Sequence, residues 1–187
     1  MKYLFRIVTL ILTIGFAISC NQHHKKVDYL VTFAKAYGYV KYFHPSDEAN
    51  AIDWNQFAVY GAGEINKCKS REDLIETLNE LFKPIAPTIV FTDENYVTDF
   101  DFNLLRPENS DDYCLTYWQH QGVSFGMVEF PYPNSPYESR RAIMNCDSIN
   151  SQLFDFNPNI EDILSISIGS GIHCQMPMVL YRNSKGT

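Results

Sequence analysis

Positive charge is scarce in this sequence: 15 Lys and Arg stand against 22 Asp and Glu, for a net charge of −7. A surface that acidic repels phosphate backbones and argues against nucleic acid as a partner. Long apolar runs are scarce too. The stretch "IVTLILTIGFAI", Ile7 to Ile18, falls short of the roughly 20 residues a membrane-crossing helix needs. There is no C-x2-C pair, no H-E-x-x-H, no Walker motif and no dinucleotide-binding glycine fingerprint, so no metal or cofactor is expected. Internal repeats and low-complexity tracts are missing as well. What is present is 45% hydrophobic and 14% aromatic, the composition of a chain that builds a core.

The N-terminus carries the clearest targeting signal. "MKYLFR" supplies positive charge, the apolar run follows, and small residues in "AISC" lead directly to Cys20. This order resembles a bacterial lipobox, in which the leader is cut before a cysteine that then carries diacylglycerol. The expectation is a signal peptide over 1–19, lipidation at Cys20, and a polar tether over 20–26. The mature chain is then an exported, membrane-anchored lipoprotein whose first partner is membrane lipid. A plain secretory signal with an incidental cysteine is the competing reading. Loss of Lys2 and Arg6 with the leader takes the net charge to −9. His23 and His24 in "NQHHKK" read as part of a solvated linker rather than as metal ligands.

Export permits disulfides. Cys68, Cys114, Cys146 and Cys174 allow three full pairings, and free, half-buried thiols fit as well.

The periodicity predicts an α+β fold, with a helical unit of about three helices over 27–87 and an antiparallel β-rich unit over 88–187. Leu30, Phe33, Ala34, Tyr37, Val40 and Phe43 recur at helical spacing between Lys26 and Phe43. Pro45 stops that helix at His44. Ser46 to Ala51 then reads as a turn, and Asp53 as the cap of a helix that starts at Trp54 and buries Trp54, Phe57, Ala58, Gly61 and Ile65. Ser70 caps a third helix with the stripe Leu74, Leu78, Leu81 and Phe82, closed by Pro84 and Pro87. Beyond "APTIVF", β-branched and aromatic residues with glycine breaks predict strands at "YCLTYWQH", "GVSFGMVEF", "QLFDF" and "ILSISIGSGIHCQMPMVLY".

Several clusters invite a chemical reading. Ser170 in "GSG" lies near His173, but the G-x-S-x-G elbow is missing, so a glycine-relieved bend fits better. Asp47 and Glu48 form a carboxylate pair, read as a solvated loop. Arg140 and Arg141 suit internal ion pairing in an acidic protein. His44, held beside Pro45, and Trp118 and His120 on an aromatic strand are the candidate ligand-facing residues. No catalytic residue is assigned. Tyr117, Trp118, Phe125 and Tyr132 offer an aromatic surface for a stand-alone lipoprotein that binds peptide or glycan, and an enzyme using His120 or His173 with a carboxylate is the weakest reading.

The segments "FAKAYGYVKYFHPSDEANAIDWNQFAVYG", "LNELFKPIAPTI", "YWQHQGVSFG", "YESRR" and "IHCQMPMVLY" together resemble the N-terminal region of a group of bacterial C-terminal-processing (tail-specific) serine peptidases, serine peptidase family 41. The resemblance covers about Val27 to Tyr181. It implies a helical segment with a Y/W-G-x-x-K-Y-x-H-P signature, met here at Tyr37 to Pro45, then a β-rich region, with the catalytic domain later in the chain. No residue here matches that domain's nucleophile motif. The resemblance therefore implies a truncated, lipid-anchored accessory region, with a peptidase core or peptide substrate as its further partner.

Overall fold

The computed structural model describes residues 24–96, 101–109, 112–121, 138–144 and 159–187. The expected leader, Cys20, His23, Cys146, Phe125, Tyr132 and the strands expected at 122–130 and 152–156 lie outside these residues. Helix α1 spans 24–43 and is followed by α2 (Asp47–Ala51), α3 (Trp54–Ile65) and α4 (Arg71–Phe82). Among the described residues six strands follow: β1 (Val90–Asp93), β2 (Cys114–Gln121), β3 (Glu138–Met144), β4 (Ile163–Gly169), β5 (Ile172–Pro177) and β6 (Val179–Arg182). The α+β class with helices first is therefore the observed one.

The helix ends follow from local chemistry. The Asp53 carboxylate accepts the amides of Asn55 and Gln56, and the Ser70 hydroxyl accepts that of Asp73, so both expected caps are in place. Residues 47–51 differ from expectation. They form a short helix rather than a turn, because the Ser46 hydroxyl caps it by accepting the Ala49 amide. On α1 the buried stripe runs through Tyr29, Phe33, Ala36 and Val40, while Ala34 is exposed. Ala34 follows Phe33 by one residue, so the roughly 100° step turns it away from the core.

The strands form two antiparallel sheets, in the orders β1-β5-β4 and β3-β2-β6. The first sheet shares one core with α1, α3 and α4. Phe82, Ile65, Leu74 and Leu78 pack there with Ile89, Phe91, Ile168, Ile172 and Met176. The helices thus do not close a core of their own over 27–87; β1, β4 and β5 complete it. The second sheet has a smaller core of Leu105, Tyr117, Ile160, Val179 and Leu180. Between β5 and β6 the chain passes from one sheet to the other at Met178, whose amide donates to the Asp162 carbonyl.

Buried Cys68 and Cys174 are free thiols, so a framework that bridges all four cysteines is not formed. Burial pushes the Cys174 thiol up to about 12, which leaves it protonated and unreactive.

Candidate functional site

The segment "HPSD" is where helices and sheets meet. Because Pro45 ends α1, the His44 ring turns inward, and only 1% of the residue is exposed. Its Nδ1 lies 2.9 Å from Ser46 Oγ and its Nε2 lies 3.0 Å from Thr88 Oγ1. Ser46 Oγ is also 2.6 Å from the Ile85 carbonyl, an oxygen that can only accept, so the single hydroxyl proton goes there. Nδ1 must then carry the imidazole proton and donate to Ser46. Nε2 is bare and accepts from Thr88, and the Ser46 amide, 3.3 Å from Nδ1, is left in contact only. Burial lowers the pKa of His44 from 6.5 to about 3, because the imidazolium would lose its hydration there.

This arrangement settles what the stretch can do. Ser46 resembles a nucleophile beside a base, but its proton points at a carbonyl and the imidazole donates toward it. A serine–histidine nucleophile needs the reverse polarity. His44 is a neutral, fully bonded core residue, with no face open to a ligand.

The second sheet closes over the same point. Trp118 and His120 sit two apart on β2 and share a face. Trp118 donates through Nε1 to the His44 carbonyl at 3.0 Å. Its ring stacks on His120 with centroids 6.1 Å apart, and His120 lies 4.7 Å from Phe43. The three residues expected to face a ligand are therefore brought together, with His120 exposed and Trp118 half-buried. Tyr117, on the opposite face, is buried in the second core. It does not belong to an open aromatic surface.

Asp47 is the other half of the joint and corrects the expectation of a solvated loop. Its carboxylate pairs with Arg141 on β3 and lies 3.4 Å from Arg182 on β6. Arg141 also donates to Thr116 Oγ1 at 3.0 Å and to the Ser46 carbonyl at 3.4 Å. The Thr187 amide donates to Asp47 Oδ2 at 3.2 Å, and the Asp47 amide donates to Thr187 Oγ1 at 3.0 Å. Partial burial opposes ionisation of Asp47, but the two guanidiniums outweigh it and hold the carboxyl below its usual range. Arg141 thus serves internal pairing as expected, whereas Glu48 is exposed. Sequence reading missed Ser46, Thr88 and the Asp47 partners, since contacts across 39 to 140 positions leave no local pattern.

The glycine-flanked turn is a bend between strands, as expected. Gly169, Ser170 and Gly171 have φ of 105°, 56° and 68°, so this β4–β5 turn needs left-handed backbone and favours glycine. Thr32 donates its hydroxyl proton to the Asp28 carbonyl, so Ser170 donates to Thr32 Oγ1 at 2.8 Å and docks the turn on α1. His173 instead meets Ser165, at 2.7 Å on the outward face of β4 and β5. Gln175 donates to the same hydroxyl at 3.3 Å, and the nearby Ser167 engages Glu94. This serine–histidine contact lies exposed on a sheet face. Among the described residues it has neither a carboxylate bonded to His173 nor converging amides for an oxyanion. The described residues also hold no cluster of three or more metal-ligating side chains.

Compared with known protein families, curated proteins and solved structures, the chain has no match.

Proposed function

We propose that the chain acts as the lipid-anchored, non-catalytic accessory region of a C-terminal-processing serine peptidase, packing beside a catalytic core or the peptide it admits. One observation carries this reading: the segment that holds residues 44–47 is met there by three of the other four segments that bear the resemblance. "LNELFKPIAPTI" contributes the Ile85 carbonyl and Thr88, "YWQH" contributes Trp118, and "YESRR" contributes Arg141. "IHCQMPMVLY" lies alongside, pairing Leu180 with Thr116 in β6 and β2. A resemblance whose residues build a joint concerns architecture. It favours a scaffold role for this chain over chemistry performed on it. The commitment of both the His44 ring and the Ser46 proton points the same way.

The test has two arms. The purified chain is treated with a fluorophosphonate, and it is separately titrated into a C-terminal-processing peptidase core from the same organism. The reading expects no stoichiometric serine labelling, together with a saturable complex that alters cleavage of an unfolded substrate. Labelling of one serine, abolished by its substitution, contradicts the non-catalytic role. Failure to bind the core contradicts the accessory role.

A further inference from the structure

Helix α1 carries a second apolar stripe that the core does not use. Val27, Val31, Ala34, Gly38 and Tyr42 follow at intervals of four, three, four and four residues, which places them along one face, nearly opposite Tyr29, Phe33, Ala36 and Val40. Val27, Val31 and Tyr42 are 45%, 48% and 45% exposed, and the space over Gly38 is open. At about 100° per residue, Lys35 and Lys41 fall on either side of the stripe. Lys41 is held between two rings, 5.4 Å from the centre of Tyr37 and 5.3 Å from that of Tyr42. Residues 24–43 hold four lysines and one aspartate, a net +3 in a chain of net −7. The helix that displays the unused apolar face is thus locally positive in an acidic chain, with Lys35 and Lys41 beside that face and Asp28 on the same side as Lys35.

We infer that this face of α1 lies in the surface of an anionic lipid bilayer as an interfacial helix, with Val27, Val31 and Tyr42 among the acyl chains and Lys35 and Lys41 at the phosphates. Charge complementarity selects lipid over an acidic partner of no defined shape, and apolar residues flanked by lysines are how such helices seat. Helix α1 is suited to lie on a membrane rather than cross it, since among the described residues no helix is long and apolar enough to span one. The inference rests on the reading of Cys20 as the acylation site. Four residue steps separate Cys20 from the helix start, so covalent geometry limits that gap to roughly 14 Å. An acylated Cys20 therefore delivers the stripe to the bilayer surface, and the stripe fixes how the domain stands on it.

The experiment uses the full chain, produced in a bacterium that acylates lipoproteins, with mass spectrometry of its N-terminus. A tryptophan is introduced at Val31→Trp or, as a control on the outer face of α3, at Val59→Trp. Each protein is mixed with vesicles of phosphatidylcholine and brominated phosphatidylglycerol, or of brominated phosphatidylcholine alone. The inference expects quenching at least about twofold stronger for Val31→Trp than for Val59→Trp in the anionic vesicles. Adding Lys35→Gln and Lys41→Gln should weaken that docking by about thirtyfold and remove the difference. Equal quenching at both positions in a chain with its acyl group intact overturns the helix inference and leaves the anchor reading standing. Selective quenching in a chain without the acyl group supports the helix inference and refutes the anchor. A concentration-dependent blue shift of Val31→Trp without lipid assigns the stripe to a second copy of the chain and overturns the inference.

Discussion

Acidification should unfold this protein through His44 before its paired carboxylates titrate. In the folded chain the imidazole is held neutral, with its pKa lowered from 6.5 to about 3 by burial. The unfolded chain takes up that proton near pH 6.5, so it binds more protons than the folded chain between these limits. Stability is therefore full above pH 6.5 and falls as pH drops toward 3. At about 1.4 kcal/mol per pH unit, the whole effect is about 5 kcal/mol, and about 3 kcal/mol of it is lost between pH 6.5 and pH 4.5. That is a large part of the 5–15 kcal/mol that holds a typical domain together. Asp47, held low by its guanidiniums despite partial burial, and Asp93, held low first by the Asn95 amide, act in a lower window. Their contribution is present above the unfolded value of 3.8 and is lost as pH falls through their folded values. The assay is urea unfolding at a series of pH values, for the wild type and for His44→Gln. The wild-type midpoint should fall by about 1 to 2 M between pH 6.5 and pH 4.5. His44→Gln should be less stable at pH 7 by about 1–3 kcal/mol, yet lose much less on acidification. A wild-type midpoint that is flat across this window, or an equal slope in the variant, refutes the reasoning.

Other perturbations separate the forces at the joint. Ser46→Ala removes the α2 cap and the partner of both His44 and the Ile85 carbonyl, and should cost about 2–4 kcal/mol in chemical denaturation. Asp47→Ala leaves the Arg141 guanidinium, 10% exposed, without its carboxylate; a loss of about 1–3 kcal/mol is expected, smaller at high salt. Gly61→Ala and Gly38→Ala should move thermal stability in opposite directions. A Cβ at Gly61 would lie 2.4 Å from the Phe33 ring, and that overpacking of about 1–3 kcal/mol outweighs the helix gain of about 1 kcal/mol. Gly38 has open space, so only the gain of about 0.5–1 kcal/mol remains.

Much of the fold was legible because it rests on short-range rules. The caps at Asp53 and Ser70, the stop at Pro45 and the Leu74–Leu78–Leu81–Phe82 stripe are each written within four or five residues. The antiparallel strands at "YCLTYWQH" and "ILSISIGSGIHCQMPMVLY" are likewise marked by composition and by the glycine turn between β4 and β5. Two kinds of feature were not legible. The α1 stripe was misphased at Ala34 because the helix has apolar residues on two faces, and periodicity alone does not say which one meets the core. The joint was hidden because its partners are far apart in sequence: Ser46 with Ile85, His44 with Thr88 and Trp118, Asp47 with Arg141 and Arg182. "FHPSDE" looks reactive in one dimension because it gathers a histidine, a serine and carboxylates. Folding commits the histidine, the serine and Asp47 to structure, and that commitment depends on residues a local motif does not contain.

The most direct test of this account is nitrogen-15 NMR of the His44 side chain as pH is lowered. The account predicts a neutral ring protonated on Nδ1, with Nε2 unprotonated, unchanged from pH 8 down to the onset of unfolding. An Nε2–H tautomer, or titration near 6.5 in the folded protein, would contradict it and return "FHPSDE" to the list of reactive sites.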